Sequence, residues 1–340
     1  DMDFTFSNSA TSGVTPSTDL NKMIAAGPAY ERTYYGHLLD MIETTFNTGY
    51  MNRWLSHYSE FLPSENLTGS SSYISTRGNH VRGLINNAVA NVAFGVTSAS
   101  GGSTSAPTTT VRGDGWVDVR QLQLAGTGAP LAVTWVDDNS WEVTLPVAPG
   151  ANTYTIEAIG FDGSVIGSDS FAITGTGELL PADSGNLAVG ELHYHPSDPN
   201  AEEVGAGYID ESYFEWLELV NLSDEATVDL SGIALVNGID FVVPAGVRLA
   251  AGERLVIAAD PAAFTMRYGV LEEGTLLPFG YLANDGSNKF SNAGEEITLL
   301  SAAGIPITQF IYGDDRPWPV SADGDGYSLT AMRPGLCLLY

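Results

Sequence analysis

The sequence predicts a multidomain, mainly β chain: a helical amino-terminal segment followed by two β-sandwiches. Two observations predict it. From about residue 108 onward, short β-branched and aromatic runs recur at regular spacing, separated by Gly, Pro, Asn and Asp. Before residue 97, apolar residues recur instead at helical spacing. The boundaries follow from composition: 1–96 helical, 97–107 a linker, 108–175 a first sandwich, 176–186 a second linker, and 187–335 a second sandwich. Ser98–Pro107 is Gly/Ser/Thr-rich without core-forming residues, which predicts a flexible joint.

In the helical segment Leu38, Met41, Ile42 and Thr45 are expected to share one face. Met51, Trp54, Leu55 and Tyr58 are expected to share another. Asn47 or Thr48 is placed to cap that second helix, and Pro63 to end it. Val81, Leu84, Ile85, Ala88, Val89 and Val92 predict a third helix after the serine-rich Gly69–Ser72.

In the first sandwich Trp116, Val117, Val119, Leu122 and Leu124 mark the opening strands. A strand pair flanks the Asp137–Ser140 turn, with Val133 and Trp135 on one arm and Trp141, Val143 and Leu145 on the other. Tyr154, Ile156 and Ala158 alternate, and Asp162-Gly163 turns that strand into the next. In the second sandwich LAVGELHY is a mixed strand signal, while FEWLELVNL is a clear one. Arg254–Ala259 is a β-branched run left through Asp260-Pro261, and Ile297–Leu300 and Gln309–Tyr312 are further strands.

Composition limits the function. With 340 residues, 44% of them hydrophobic, the chain can fill several cores, and no apolar run approaches a membrane span. A formal charge of −28, with only 13 Lys and Arg, excludes a nucleic-acid partner, because phosphate binding needs a clustered basic surface. Such a charge suits a soluble secreted protein in salt or divalent cations. Cys337 is the only cysteine, so no intrachain disulfide forms. The chain does not begin with Met, and a longer parent polypeptide is expected.

LAVGELHYHPSD, FEWLELVNLSDEATVDLSGIALVNGIDFVVPAGVRLAAGERLVIA and RPWPVSADGDGYSLTAMRP, between Leu187 and Pro334, resemble the lamin-tail domain, a small immunoglobulin-like (Ig-like) β-sandwich. VAPGANTYTIEAIGFDGS is similar to bacterial Ig-like linker domains. DMDFTF, AYERTYYGHLLDMIETTFNTGYMNRWLSHY and YISTRGNHVRGLI resemble the carboxyl end of a CotH-type kinase-like domain. That last resemblance implies a nucleotide-bound Mg2+ held by Asp1 or Asp3, matching a WDxD-like element. The gripping lysine and the catalytic-loop base of a kinase have no counterpart here, so the chain itself is expected to be no enzyme.

Other residues suggest metals. Glu191, His193 and His195 fall on one face of a strand, with Glu215 or Glu218 near, a set zinc accepts. Asp323 and Asp325 open like a calcium loop, but Tyr327, Ser328 and Pro334 break the EF-hand pattern, leaving a turn. Asp137 with Asp138, and Asp314 with Asp315, are candidate weak Ca2+ ligands at sandwich ends. Arg112-Gly113-Asp114 reads as turn chemistry rather than an adhesion triplet. No nucleophile elbow or phosphate loop is present.

The expectation is an extracellular or cell-surface bacterial protein, structural or adhesive, whose partners are copies of itself in a stalk or filament or other surface components. One alternative is the rear of a secreted kinase. Another is a glycan-binding module using Trp116, Trp135, Trp141, Trp216 and Trp318.

Overall fold

The computed structural model describes residues 9–15, 19–62, 67–128 and 130–332. They form two compact units. The first holds the described residues up to 100, with 110–143 and 153–171. The second holds 101–109, 144–152 and the described residues from 172 onward.

The first unit begins with helices α1 (Asp19–Ile24), α2 (Pro28–Thr44), α3 (Thr48–Ser59) and α4 (Thr68–Ala88). Pro28 opens α2, where its missing N–H costs nothing. Asn47 caps α3 by accepting from the Tyr50 amide, as its position predicts. Two expectations change. The buried face of α2 carries Tyr35, Leu39 and Ile42, while Met41 is exposed. α3 buries none of its side chains: of the expected face, Trp54 and Tyr58 stand in solvent while Met51 and Leu55 are half-covered. Apolar spacing marks a face but does not say which neighbour arrives to cover it. α4 also starts earlier than expected and includes Gly69–Ser72.

Tyr35, Leu39 and Ile42 pack with Val81, Ile85 and Val89, and with Trp116 and Val117. Trp116 and Val117 are therefore not an opening strand. They lie in a loop that enters the helical core, and the Trp116 indole N–H donates to the Val89 carbonyl at 3.2 Å.

The first sandwich has strands β1 (Gly95–Val96), β2 (Gly102–Thr104), β3 (Thr108–Asp114), β4 (Gln121–Leu124), β5 (Val133–Trp135), β6 (Ser140–Pro146), β7 (Gly150–Ile159) and β8 (Val165–Gly175). They form two sheets, ordered β1-β3-β6-β5 and β2-β8-β7-β4. Burial alternates along β6, with Trp141, Val143 and Leu145 inward, as a sheet with one core face requires. The Asp137–Ser140 and Asp162-Gly163 turns connect neighbouring strands as predicted, and Gly163 takes the φ of +81° that favours glycine. Gly102–Thr104, inside the stretch expected to be a flexible joint, pairs in parallel with Ile173–Gly175. Ladder bonds are made by the backbone, and a search for core-forming side chains does not detect them.

The Arg112-Gly113-Asp114 triplet also departs from expectation, lying in β3 rather than in a turn. A Cβ on Gly113 would fall 2.1 Å from the Trp141 ring and 2.2 Å from the Gly95 carbonyl oxygen. Gly113→Ala is therefore expected to lower the thermal midpoint of the first unit, at a cost of about 1–3 kcal/mol from overpacking. A midpoint equal to wild type in a calorimetric scan would contradict that contact.

The rest of the second unit is built from β9 (Leu180–Pro181), β10 (Leu187–His193), β11 (Trp216–Asn221), β12 (Val228–Asp229), β13 (Ala234–Val236), β14 (Phe241–Val242), β15 (Arg248–Leu249), β16 (Arg254–Ala258), β17 (Glu295–Leu300), β18 (Pro306–Tyr312) and β19 (Leu329–Thr330), with α5 (Ala201–Gly205) and α6 (Pro261–Tyr268). The sheets run β16-β11-β10-β19, β14-β13-β17-β18 and β15-β12-β9. Leu187, Leu192, Leu217, Leu219, Leu255, Ile257, Ile297 and Leu299 meet in one core. β10 mixes its pattern because both faces are covered. On the side away from the core, Phe264 of α6 packs against Val256, Ala258 and Trp216.

Candidate functional site

The acidic hairpin of the first unit is held from within. Asp137 Oδ1 accepts from the amides of Asn139 at 2.8 Å and Ser140 at 2.6 Å, which keeps its carboxyl below the usual range. The Asp138 carbonyl accepts from Arg32, while burial, and then the nearby Asp137 charge, push the Asp138 carboxyl up. Arg32 is buried, donates also to the carbonyls of Gly115 (2.8 Å) and Trp116 (2.7 Å), and lies 3.2 Å from the centre of the Trp135 ring. Burial lowers its pKa to about 10, against the pull of Asp118 and Asp138, so it stays charged at neutral pH. The hairpin thus offers two carboxylates in a turn already anchored by an arginine.

In the second unit Glu191 and His193 lie in β10 and His195 two positions beyond its end, and each has a different neighbour. Glu191 accepts from the Ser328 hydroxyl. His193 is buried between Trp216 (5.7 Å between ring centres) and Tyr268 (5.9 Å), and burial lowers its pKa to about 4. The His195 Nδ1 lies 2.5 Å from Asp323 Oδ1, and the Gly324 amide donates to the His195 carbonyl. Glu218 pairs with Arg254. Gly324 and Gly326, at φ of +83° and +85°, turn the Asp323–Gly326 loop, and Asp325 faces solvent. Among the described residues no group of three His, Cys, Asp or Glu is placed to hold a metal. Asp1, Asp3 and Cys337 lie outside the described residues.

Two buried carboxyl groups have partners that the sequence did not place beside them. Glu215 is 1% exposed and accepts from the Phe290 amide at 2.9 Å and the Tyr281 hydroxyl at 3.3 Å. Burial pushes its pKa up to about 8, so the carboxyl is largely protonated at neutral pH. Glu203 meets Arg267 through two hydrogen bonds, at 2.8 and 2.6 Å, and the guanidinium lies 3.4 Å from the centre of the Phe214 ring. Both arrangements hold helix and loop to sheet. Asn200, which forms a capping box with Glu203, was the one available hint of the second.

The tryptophans expected to offer stacking faces are covered, two of them fully and three in part. Trp116 and Trp141 are buried, Trp135 lies under Arg32, Trp216 contacts Phe264 and Tyr268, and Trp318 packs on the core of the second unit. What remains open is a sheet edge. β18 pairs with β17 on one side, and among the described residues no strand pairs with its other side. The other edge strands of the second unit's three sheets are two residues long, or, at β16, partly covered by the bridge of Val256 to Leu276, and those of the first sandwich have at most four residues. β18 spans seven residues, PITQFIY, without a charge or an internal proline, and Ile311 is 65% exposed. Edges normally carry charges or prolines that block further pairing. This one carries no charge, and its single proline, Pro306, stands at its first position.

Residues 181–314 match the family model for the Lamin Tail Domain, which bears out that part of the resemblance; the match does not extend to the helical segment. No curated protein matches the chain. Among solved structures, Bacteroides ovatus SGBP-B of a mixed-linkage glucan utilization locus, in complex with a mixed-linkage heptasaccharide, is similar at 13% identity and a TM-score of 0.18. The similarity covers 62% of this chain and 40% of that one. The YadV chaperone is similar at 10% identity and the same TM-score, covering 65% of this chain and 100% of that one. Neither likeness bears on what this chain binds. No helix among the described residues is long and apolar enough to cross a membrane.

Proposed function

We propose that the chain is an extracellular structural or adhesive module of a bacterial surface, which assembles with copies of itself by strand pairing at β18. The open, uncharged edge of β18 carries this reading. In an antiparallel pair of two copies centred on Gln309, Ile311 of each stands opposite Ile307 of the other in register, with Ile307 turned into the core and Ile311 outward, and Thr308 stands opposite Phe310. No like charges then meet directly across the new ladder. Elsewhere a charge of −28 repels a second copy, so assembly is expected to strengthen with salt as the Debye length shrinks. Divalent cations, calcium among them, act in the same direction by binding weakly to paired surface acids.

The test is sedimentation and electron microscopy of the whole chain at low and high salt, with and without chelator, beside Ile311→Lys. Wild type is expected to form dimers or longer assemblies in salt. The lysine variant is expected to stay monomeric with an unchanged melting temperature, since residue 311 is exposed. Monomeric wild type under every condition would overturn the proposal, as would a lysine variant that assembles like wild type.

A further inference from the structure

Among the described residues α3 is the one helix that buries no side chain, and it carries a row of aromatics. Tyr50, Trp54 and Tyr58 recur every four residues on one side, with His57 and Phe61 beside them, and all five are exposed. Ring centres are 6.4 Å apart from Tyr50 to Trp54 and 6.3 Å from Trp54 to Tyr58, and the latter two are stacked. Trp54, at 40% exposure, is the one exposed tryptophan of the six. The row lies open along the helix rather than in a groove.

Charge narrows the occupant. A chain at −28 repels polyanions, which disfavours uronates and nucleic acids. α3 itself has no Asp or Glu and carries Arg53, which forms no ion pair among the described residues, so nothing on the helix attracts a polycation. The fitting partner is uncharged. It is also amphipathic, because the tyrosine hydroxyls, the indole N–H and His57 place hydrogen-bonding atoms at ring edges, while Asn52, Arg53 and Ser56 add donors between them. An apolar protein helix would leave those polar groups facing hydrocarbon, at a cost.

We infer that the α3 row binds a neutral polysaccharide, whose apolar C–H faces stack on Tyr50, Trp54 and Tyr58 while its hydroxyls meet the interleaved polar side chains. The inference is independent of β18 and concerns a different unit of the chain. The experiment is affinity electrophoresis of the whole chain in gels containing hydroxyethyl cellulose, dextran or polygalacturonate, with tryptophan fluorescence followed in parallel titrations. Retardation by at least one neutral polymer and a blue shift of the emission are expected for wild type. Trp54→Ala is expected to weaken binding roughly tenfold and abolish the shift, the scale of one lost aromatic stack. Absence of retardation by both neutral polymers would overturn the inference. So would polygalacturonate binding as strongly as they do, or a Trp54→Ala chain that keeps full binding. Trp54→Ala changing only self-association, in sedimentation, would assign the row to a second copy and overturn it too.

Discussion

Replacing Arg32 by methionine is expected to destabilise the first unit by about 3 kcal/mol or more, the largest single effect predicted for the helical segment. Methionine fills similar volume but removes the guanidinium donor from the carbonyls of Gly115, Asp138 and Trp116, the last of which keeps only the Val119 amide, and removes the cation from the Trp135 ring. The guanidinium satisfies them together because its donors lie in one rigid plane. Arg32→Lys, with one point charge on a flexible stem, is expected to recover less than half of the loss. Denaturant unfolding of the whole chain, with hydrogen exchange of the 113–120 peptides, reads both variants. Equal protection in wild type and Arg32→Met would remove the clamp from the account.

The second large effect is a pH dependence centred on Glu215. Its folded pKa of about 8 stands above an ordinary 4.5, so between those values the folded chain holds a proton that the unfolded chain has lost. Stability from this group is fully present below pH 4.5 and falls as pH rises through about 8. The total loss is on the order of 4 kcal/mol. His193 acts in the opposite sense. Its folded pKa of about 4 is below the ordinary 6.5, so its contribution is present above pH 6.5 and lost as pH falls through about 4. The two slopes oppose each other between pH 4.5 and 6.5, and the alkaline limb belongs to Glu215 alone of the pair. Glu215→Gln, an isostere of the protonated acid, is expected to flatten that limb and to be the more stable protein at pH 9. Urea unfolding from pH 5 to pH 9, with hydrogen exchange at the Phe290 amide, checks it. A wild-type profile already flat from 6.5 to 9 would mean the carboxyl is ionised at neutral pH.

What could be read from the sequence was local and covalently close. The β16 run, the Asp162-Gly163 turn, the Asn47 cap and the two-sheet character of the second half all depend on residues within a few positions of each other. α6 was legible in principle, since Asp260 and Pro261 are a helix N-cap and first residue, although the same pair also reads as a strand exit. The missed features depend on distant partners. Trp116 looks like a strand residue until Val89 and Ile85 arrive beside it. Glu215 reads as a candidate neighbour of the His193 and His195 pair until Tyr281 and Phe290, more than sixty positions later, close over it. His193 ends β10 and His195 lies just past it, and spacing cannot announce that Trp216, Tyr268 and Asp323 would separate their roles. Exposure of the α3 aromatics was the hardest to foresee, because an apolar stripe ordinarily signals burial.

The central strand β10 has one neighbour made early and one made late. β11 follows it closely, whereas β19, which pairs Leu329 with Leu192, is synthesised only after nearly all the rest of that sandwich. At about 5–20 residues per second, the free side of β10 waits several seconds on the ribosome for its partner. A nascent chain halted before Leu329 should therefore present an apolar, unpaired strand to whatever is nearby, and chaperone demand should be concentrated in that interval.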